Sequence, residues 1–374
     1  MSLFNVYPLF DITLVKGKDV YIYDQEGTEY LDLYGGHAVI SIGHSHPEYV
    51  ERIRAQVGEL GFYSNSIQNP LQKQLARELT QLSKCQEYTL FLCNSGAEAN
   101  ENALKLASFS TGKKKVISFK NAFHGRTSAA VAATDNAKIT APINAQQEVE
   151  FIELGDIKGV EKSLSKKDVC AVIIECIQGV GGLDESSTAF YQALESLCKR
   201  FDALLIVDEI QSGFGRTGDF FAFQKHGITP DIISMAKGMG NGFPIGGILI
   251  HPKIKASMGL LGTTFGGNHL ACAAALTVLK VIDSQSLMQN AEEMEIYFKE
   301  KAKTIPQLLQ VKGRGLMLGL VFDFPIAELR KKLITEHHIF TGNAKNPNLI
   351  RILPPLTVQK KHIDQFFEAL KKAL

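Results

Sequence analysis

The chain has 374 residues, of which 45% are hydrophobic and 21% charged, and its formal net charge is +1 at pH 7. This length and composition fit a globular protein of two or three domains, and the near-zero charge excludes any strong attraction to nucleic acid or anionic membrane. Because the sequence has no 18-residue apolar run and no C-x-x-C spacing among its six cysteines, we expect a cytoplasmic protein with reduced, packed thiols.

The N-terminal part is predicted to begin with two strands around a turn, between residues 20 and 33. His44 and His46 follow in a loop and invite a metal-site interpretation. No acidic or cysteine partner lies near them in the sequence, so we expect no metal there. Apolar residues then recur at helical spacing over 47–57 and 71–82.

The middle of the chain alternates between short apolar runs and helical stretches. The runs are Thr89–Cys93, Val116–Phe119, Val149–Leu154, Val169–Glu175, Leu204–Val207, Asp231–Ala236 and Ile245–Ile250. This alternation predicts an α/β fold in which helices flank a mostly parallel sheet. The C-terminal pattern is α+β and is expected to join the N-terminal hairpin in a smaller domain. The predicted boundaries are 1–50 and 285–374 for the small domain and 51–284 for the large one.

Two of these runs end in residues that suit a cofactor site. Asp208 follows one run and Lys237 follows the next. Ligands of open α/β sheets bind beyond the carboxyl ends of the strands, so both side chains are expected in one crevice. Pyridoxal phosphate needs a lysine for a Schiff base and an acid for its ring nitrogen. The alternative is a plain ion pair, which is far commoner for an arbitrary Asp and Lys.

Residues 94–100, Asn-Ser-Gly-Ala-Glu-Ala-Asn, follow the predicted strand Thr89–Cys93 and begin a helix. A strand, a turn of small residues and a helix N-terminus together form an anion site, because free N–H groups and the positive end of the helix dipole point at the ligand. Ser95, Gly96 and Ala97 are therefore candidate phosphate ligands. An ordinary N-cap turn has the same residues, and the spacing of a nucleotide P-loop is missing.

Two further loops carry residues of the right chemical types. In residues 121–127, Phe123 is suited to stack on an aromatic cofactor and Arg126 to bind a carboxylate through two parallel hydrogen bonds. Taken singly, such a phenylalanine is more often core and such an arginine more often a solvated loop residue. Residues 262–268 offer Thr263 and Thr264 in a glycine-rich loop, for which a plain helix entry is the alternative.

In this order the segments closely resemble the class III aminotransferases of pyridoxal-phosphate fold type I, and within that class the acetylornithine aminotransferases. The resemblance runs from Gly27-Thr28-Glu29-Tyr30-Leu31-Asp32 to Arg351-Ile352-Leu353-Pro354-Pro355-Leu356. Its specificity comes from the motifs at 94–100, 122–127, 208–211 and 262–268 taken together, with Lys237 between the last two. It implies a homodimer with active sites at the subunit interface.

The resemblance also implies a role for each motif residue. Lys237 would hold the cofactor covalently and Asp208 would pair with its ring nitrogen. Gln211 would lie near the ring hydroxyl and Phe123 on the ring face, while Thr264 would reach the phosphate in the neighbouring subunit. The remaining expected residues are Ser95, Gly96, Ala97, Glu209 and Ile210 for the cofactor, and Arg126, Glu175, Thr263 and Arg351 for the substrates.

One departure from the family pattern concerns specificity. Relatives read Glu-Pro-Ile-Gln-Gly-Glu-Gly-Gly where this chain has residues 175–182, so that Val180 stands in place of a glutamate. In relatives that glutamate can pair with the C-terminal arginine, which is Arg351 here. We hypothesise that Arg351 stays available to a carboxylate in both half-reactions, which suits an N2-succinylornithine donor. The other departure, Cys176 for proline, is expected to alter only a local turn.

The implied activity transfers the δ-amine of N2-acetylornithine, or of N2-succinylornithine, to 2-oxoglutarate, as in arginine biosynthesis. Ornithine δ-aminotransferase, 4-aminobutyrate aminotransferase and glutamate-semialdehyde aminomutase share the cofactor residues and are the nearest alternatives. A ligand-sensing regulator on this fold would be expected to carry a DNA-binding module before the hairpin. A nicotinamide dehydrogenase is excluded, since no predicted strand is followed by G-x-G-x-x-G.

Overall fold

A computed structural model describes residues 3–374, which form three β-sheets. The strands are β1 (Leu14–Lys18), β2 (Tyr21–Asp24), β3 (Glu29–Asp32), β4 (Thr89–Cys93), β5 (Lys115–Phe119), β6 (Val149–Ile152), β7 (Val169–Ile174), β8 (Leu204–Asp208), β9 (Ile232–Met235), β10 (Gly246–Ile250), β11 (Leu308–Arg314), β12 (Met317–Phe322), β13 (Ile339–Phe340), β14 (Gly342–Asn343) and β15 (Leu349–Ile352). The seven apolar runs predicted in the middle of the chain correspond to β4 to β10.

Helices surround these sheets. They are α1 (Gly35–Ala38), α2 (Pro47–Glu59), α3 (Pro70–Leu82), α4 (Gly96–Thr111), α5 (Ser128–Ala132), α6 (Ile157–Leu164), α7 (Thr188–Phe201), α8 (His269–Ser284), α9 (Leu287–Ala302), α10 (Ala327–Thr335) and α11 (Lys360–Ala373). Among residues 3–374 no single helix is long and apolar enough to cross a membrane. Only α8 and α9 taken together pass that test, and they are bent by 60° at their junction.

The central sheet has seven strands in the order β4-β10-β9-β8-β7-β5-β6. From β9 to β6 all neighbours pair in parallel, whereas β10 runs antiparallel to both β9 and β4. The predicted mostly parallel sheet is confirmed. The reversal of β10 was not predicted, and it follows from its short connection to β9. That connection contains only a 3-10 turn, Lys237–Met239, whereas a parallel crossover needs a dozen or more residues.

The middle strands of this sheet are buried on both faces, as the continuous apolar runs predict. Every residue of β7 and β8 is buried. The pairing of β8 with β9 places Asp208 opposite Ser234, three positions before Lys237. The two candidate cofactor residues therefore leave adjacent parallel strands at the same edge of the sheet.

Both ends of the chain contribute to the smaller sheets. The N-terminal strands β1, β2 and β3 form a sheet with β13 from the C-terminal part, and β11, β12, β15 and β14 form another. The link is the parallel pairing of β3 with β13, which places Leu31 opposite Ile339. This pairing supports a small domain made from both termini, while its boundaries at residues 50 and 284 stay a prediction.

Candidate functional site

A cavity of about 390 Å³ lies beyond the carboxyl ends of β8 and β9. Its walls bring together residues that are far apart in the sequence, and Lys237 and Asp208 both line it. The other predicted site residues on its walls are Ser95, Gly96, Ala97, Phe123, Arg126, Glu175, Ile210 and Gln211. The rest of the lining was not predicted and consists of Val39, Asn94, His124, Gly125, Val180, Ala236 and the segment Gly242–Ile245.

Lys237 lies in the turn directly after β9 and has a left-handed backbone conformation, with φ of 48°. Burial and the positive charge of Arg351 lower the pKa of its amine to about 8, against the opposing charges of Asp208 and Glu175. A lysine normally titrates at 10.5, so a much larger fraction of this amine is uncharged near neutral pH. Only the uncharged amine is a nucleophile, which makes Lys237 suited to attack a carbonyl group.

This lowered pKa predicts how the amine responds to pH. We expect the rate at which the apoprotein takes up pyridoxal phosphate to rise with pH through a midpoint of about 8 and to level off at higher pH, as the neutral fraction of Lys237 approaches one. The uptake is followed by visible absorption at constant ionic strength. Arg351→Met should move the midpoint upward, because the charge of Arg351 favours the neutral amine. A wild-type midpoint near 10.5 would contradict the prediction.

The Asp208 carboxylate is held by three hydrogen bonds. One oxygen, Oδ2, accepts from Asn100 Nδ2 at 2.8 Å and contacts His124 Nδ1 at 2.7 Å, while Oδ1 accepts from the Ile210 N–H at 3.0 Å. His124 and Asn100 are buried, and sequence reasoning assigned a role to neither. A signal was present, because both stand inside the motifs at 94–100 and 122–127. The three donors fix the direction in which Asp208 faces the cavity.

The N-terminus of α4 forms one wall of the cavity. Ser95 is the N-cap residue and its hydroxyl accepts from the Glu98 N–H at 3.2 Å. The first turn of this 16-residue helix leaves backbone N–H groups without intrahelical partners, which suits a phosphate. Packing, as well as phosphate binding, favours a glycine at position 96, because a Cβ there would lie 2.8 Å from Ile210 Cγ2.

Glu209 was also predicted to bind the cofactor, but its side chain does not line the cavity. The other three residues of the motif at 208–211 do. The Glu209 carboxylate is fully buried on the other side of the strand end and accepts from the N–H groups of Ala222 and Phe223 and from the Ser212 hydroxyl. Burial raises its pKa to about 7. These contacts anchor residues 222 and 223 to the end of β8.

Glu175 ties together two walls of the cavity. It accepts hydrogen bonds from the Phe123 N–H and the Gly179 N–H, each at 2.9 Å. Burial is the main cause that raises its pKa, and the adjacent His124 opposes the shift. The contact with Phe123 fixes the backbone that carries the ring expected to stack on the cofactor.

The two candidate carboxylate-binding arginines lie in different surroundings. Arg126 is exposed at the cavity wall and forms no ion pair with any of residues 3–374. Arg351 is buried behind Gln211, whose Oε1 lies 3.3 Å from the guanidinium. Within residues 3–374 no carboxylate lies at ion-pair distance from Arg351, and the nearest acidic influence, that of Glu175, acts on it only through its charge at longer range.

The loop at 262–268 does not reach this cavity. Thr263 Oγ1 is 3.3 Å from Asn94 Nδ2 and accepts from the Gly266 N–H, and Thr264 is exposed. Nearby, Phe62 and Phe265 pair at 5.4 Å and are 41% and 60% exposed. A role for Thr263 and Thr264 at a cofactor therefore requires the cavity of another subunit, and it stays a prediction.

Comparison with known proteins adds independent findings. Residues 5–374 match the family model described as Aminotransferase class-III. The acetylornithine aminotransferases of Bacillus subtilis and Aquifex aeolicus are each 40% identical to all of this chain, which covers 97% and 99% of their lengths. A solved Toxoplasma gondii ornithine aminotransferase, described with partial occupancy of PLP at its active site, superposes with a TM-score of 0.90. It is 28% identical over 98% of this chain and 90% of its own.

Proposed function

The chain belongs to the class III aminotransferases, and we propose that it transfers the δ-amine of an N2-acylornithine to 2-oxoglutarate. It is a transaminase, and its cofactor is pyridoxal 5'-phosphate. The proposed donor rests on full-length relatives at 35–40% identity that share the name acetylornithine aminotransferase. The products would be an N-acylglutamate 5-semialdehyde and glutamate.

The observation that carries this proposal is one cavity holding Lys237 and Asp208 beside the N-terminus of α4. Each part of the cofactor then has a partner. The amine of Lys237, with its lowered pKa, suits the aldehyde, the fixed carboxylate of Asp208 suits the pyridine nitrogen, and the helix terminus suits the phosphate. His124 Nε2 and Asn100 Oδ1 have no hydrogen-bond partner among residues 3–374, and both lie on the side chains that hold Asp208. The residues present therefore fit the cofactor.

Each of these residues has a proposed task. The bound cofactor supplies a carbonyl group that captures the substrate amine and a protonated ring that takes up negative charge. Lys237 is the general base that removes a proton from the δ-carbon of the donor. Asp208 keeps the proton on the ring nitrogen, and His124 and Asn100 hold Asp208 in place.

Substrate carboxylates are assigned to the two arginines. Arg126 stands at the cavity wall and has no competing ion pair among residues 3–374, and Arg351 lies behind Gln211. Because Val180 carries no charge, Arg351 would be available to 2-oxoglutarate and also to a carboxylate on the acyl group of the donor. We therefore keep the hypothesis that N2-succinylornithine is a better donor than N2-acetylornithine.

We also propose that the working form is a homodimer. In one subunit Thr264 is exposed and away from the cavity, and its loop includes Phe265, which is 60% exposed. Asn65 hydrogen-bonds to this loop, and its own segment exposes Tyr63 at 59% and Ile67 at 60%. An exposed apolar cluster of this kind is typical of an interface. A second copy would cover it and bring Thr264 to a cofactor phosphate. A mass in solution that corresponds only to the monomer would rule this out.

The function is tested with a panel of amino donors. The holoenzyme is mixed with 2-oxoglutarate and N2-acetylornithine, N2-succinylornithine, ornithine or 4-aminobutyrate, and glutamate formation is measured. We expect the two acylated donors to have the highest kcat/KM values. A higher value for ornithine or 4-aminobutyrate would refute the proposed donor class. A clear preference for the acetyl compound would refute only the succinyl hypothesis.

A further inference from the structure

The guanidinium of Arg351 is held by contacts of two kinds. Two are short and go to backbone carbonyls, from Nε to Asn343 O at 2.5 Å and from one terminal nitrogen to Gly179 O at 2.8 Å. Two are long and go to neutral side chains, Gln211 Oε1 and the Tyr34 hydroxyl, each at 3.3 Å. The two short hydrogen bonds fix the position of the guanidinium, whereas the two long ones are weaker hydrogen bonds because of their length.

A carboxylate binds an arginine best through two parallel N–H groups. On Arg351 the side that includes Nε is closed by the carbonyl of Asn343. The remaining edge consists of the two terminal nitrogens, and the long contacts with Gln211 and Tyr34 occupy it. Gln211 also lines the cavity, so a ligand that reaches this edge displaces two neutral partners and no charged one.

Tyr34 is part of a chain of neutral hydrogen-bonding groups. Since Arg351 donates to its oxygen, its own proton is directed to His37 Nδ1 at 2.5 Å. Burial raises the pKa of Tyr34, so the hydroxyl stays protonated. Partial burial of the ring, which keeps an exposed side, and the charges of Arg351, Lys237 and Arg330 lower the pKa of His37 to about 4, so the imidazole is neutral.

The unusual backbone of α1, which directly follows Tyr34 and contains His37, holds these two side chains together. All four residues of α1 have left-handed conformations, with φ of 55° at Gly35 and Gly36, 69° at His37 and 62° at Ala38. Non-glycine residues adopt such angles only at a cost, which the surrounding contacts must offset. On its other side the Tyr34 ring leaves no room for a side chain, because a Cβ on Gly342 would lie 2.3 Å from it.

We propose that Tyr34, held by His37, is a specificity-determining residue that caps Arg351 with a neutral and displaceable hydroxyl. A ligand with a carboxylate displaces the cap, and a ligand without one leaves Arg351 hydrogen-bonded. The cap therefore lets the site accept acyl groups with and without a terminal carboxylate. This inference rests on the proposed function, in which the possible donors differ by that group.

Tyr34→Phe tests the cap, since it removes the hydroxyl and keeps the ring that packs on Gly342. The probe is glutarate, titrated into the pyridoxal-phosphate-loaded enzyme and followed by the visible absorption of the cofactor. We expect binding to tighten about 3- to 10-fold, because one competing hydrogen bond is lost. His37→Ala should give a smaller change in the same direction, because it frees the hydroxyl to move away.

Two controls show whether the effect acts through Arg351. Tyr23→Phe removes a hydroxyl whose one hydrogen-bond partner among residues 3–374 is Glu29, at an exposed position of the N-terminal sheet, and it should leave glutarate binding unchanged. In an Arg351→Met background, Tyr34→Phe should have no further effect. Unchanged or weaker glutarate binding in Tyr34→Phe, or a tightening that persists without Arg351, would overturn the proposal.

The kinetic consequence is a change in preference between donors. In Tyr34→Phe the ratio of kcat/KM for N2-succinylornithine to that for N2-acetylornithine should rise about 3- to 10-fold, through KM rather than kcat. A ratio that stays constant would contradict the cap as a determinant of specificity. If the wild-type enzyme transaminates neither donor, the proposed function fails. The glutarate titration still decides the role of Tyr34, because it requires no turnover.

Discussion

Lys237→Ala is expected to abolish turnover while leaving the fold intact. The amine at this position is proposed both to hold the cofactor covalently and to move the proton of the donor's δ-carbon. Loss of the proton transfer alone costs about 10²- to 10⁴-fold. The side chain lines a cavity and makes no hydrogen bond to residues 3–374, so its removal leaves no buried group unpaired. Steady-state glutamate formation measures the loss.

A second readout separates this role from a general loss of activity. After borohydride reduction, intact mass should show the cofactor fixed to the wild-type chain and absent from Lys237→Ala. Lys225→Ala is the matched control, because Lys225 is an exposed lysine that does not line the cavity, and its variant should retain both the label and the activity. Substantial turnover by Lys237→Ala, or a label that remains in it, would refute the assignment.

The pairing of Lys237 with Asp208 was predictable because it depends on sheet geometry. Buried strands are continuous apolar runs, and parallel neighbours present their carboxyl ends at one edge. β8 and β9 satisfy both conditions, so residues that follow them meet. The phosphate-binding turn was predictable for a similar reason, since Ser95 and Gly96 stand at the junction of a strand and a helix.

Other features depend on contacts between distant segments and left little trace in the sequence. The hydrogen bonds of His124 and Asn100 to Asp208 join three separate motifs. The neutral contact of Arg351 with Tyr34 spans 317 positions, and no local pattern indicates it. For Glu209 the sequence motif indicated a position at the cavity that the structure does not show. Its neighbours in the motif face the cavity, but the chain turns after β8 and directs this carboxylate towards the N–H groups at 222 and 223.

Asp208→Ala is the second replacement expected to have a large effect, and it acts on charge rather than on covalent chemistry. The ring nitrogen of the cofactor is proposed to remain protonated only because a carboxylate faces it. Without that counter-charge, the negative charge that develops on the substrate carbon is less stabilised. Removal of one preorganised electrostatic partner costs about 10²- to 10³-fold in kcat. Single-turnover measurements with the donor, together with the pH dependence of the cofactor's visible absorption, report this change.

Asp208→Asn distinguishes the charge from the hydrogen bonds. Three donors converge on the Asp208 carboxylate, and an amide offers only one acceptor oxygen. If that oxygen takes the position of Oδ2, the amide nitrogen faces the Ile210 N–H, and two donors then oppose each other. The asparagine variant should therefore be impaired nearly as much as alanine, although its volume is conserved.

Asp231→Asn provides a matched control for the loss of a buried aspartate. Asp231 is 5% exposed, accepts from the Leu205 N–H and pairs with Lys253 outside the cavity. Its replacement should lower the temperature of unfolding and leave kcat and the cofactor spectrum of the folded fraction unchanged. If Asp208→Asn instead kept a wild-type kcat, the counter-charge would be unnecessary and the acid at the end of β8 would serve only to organise its three donors. If both variants lost kcat equally, the effect would reflect buried charge in general and not the position of Asp208 at the cavity.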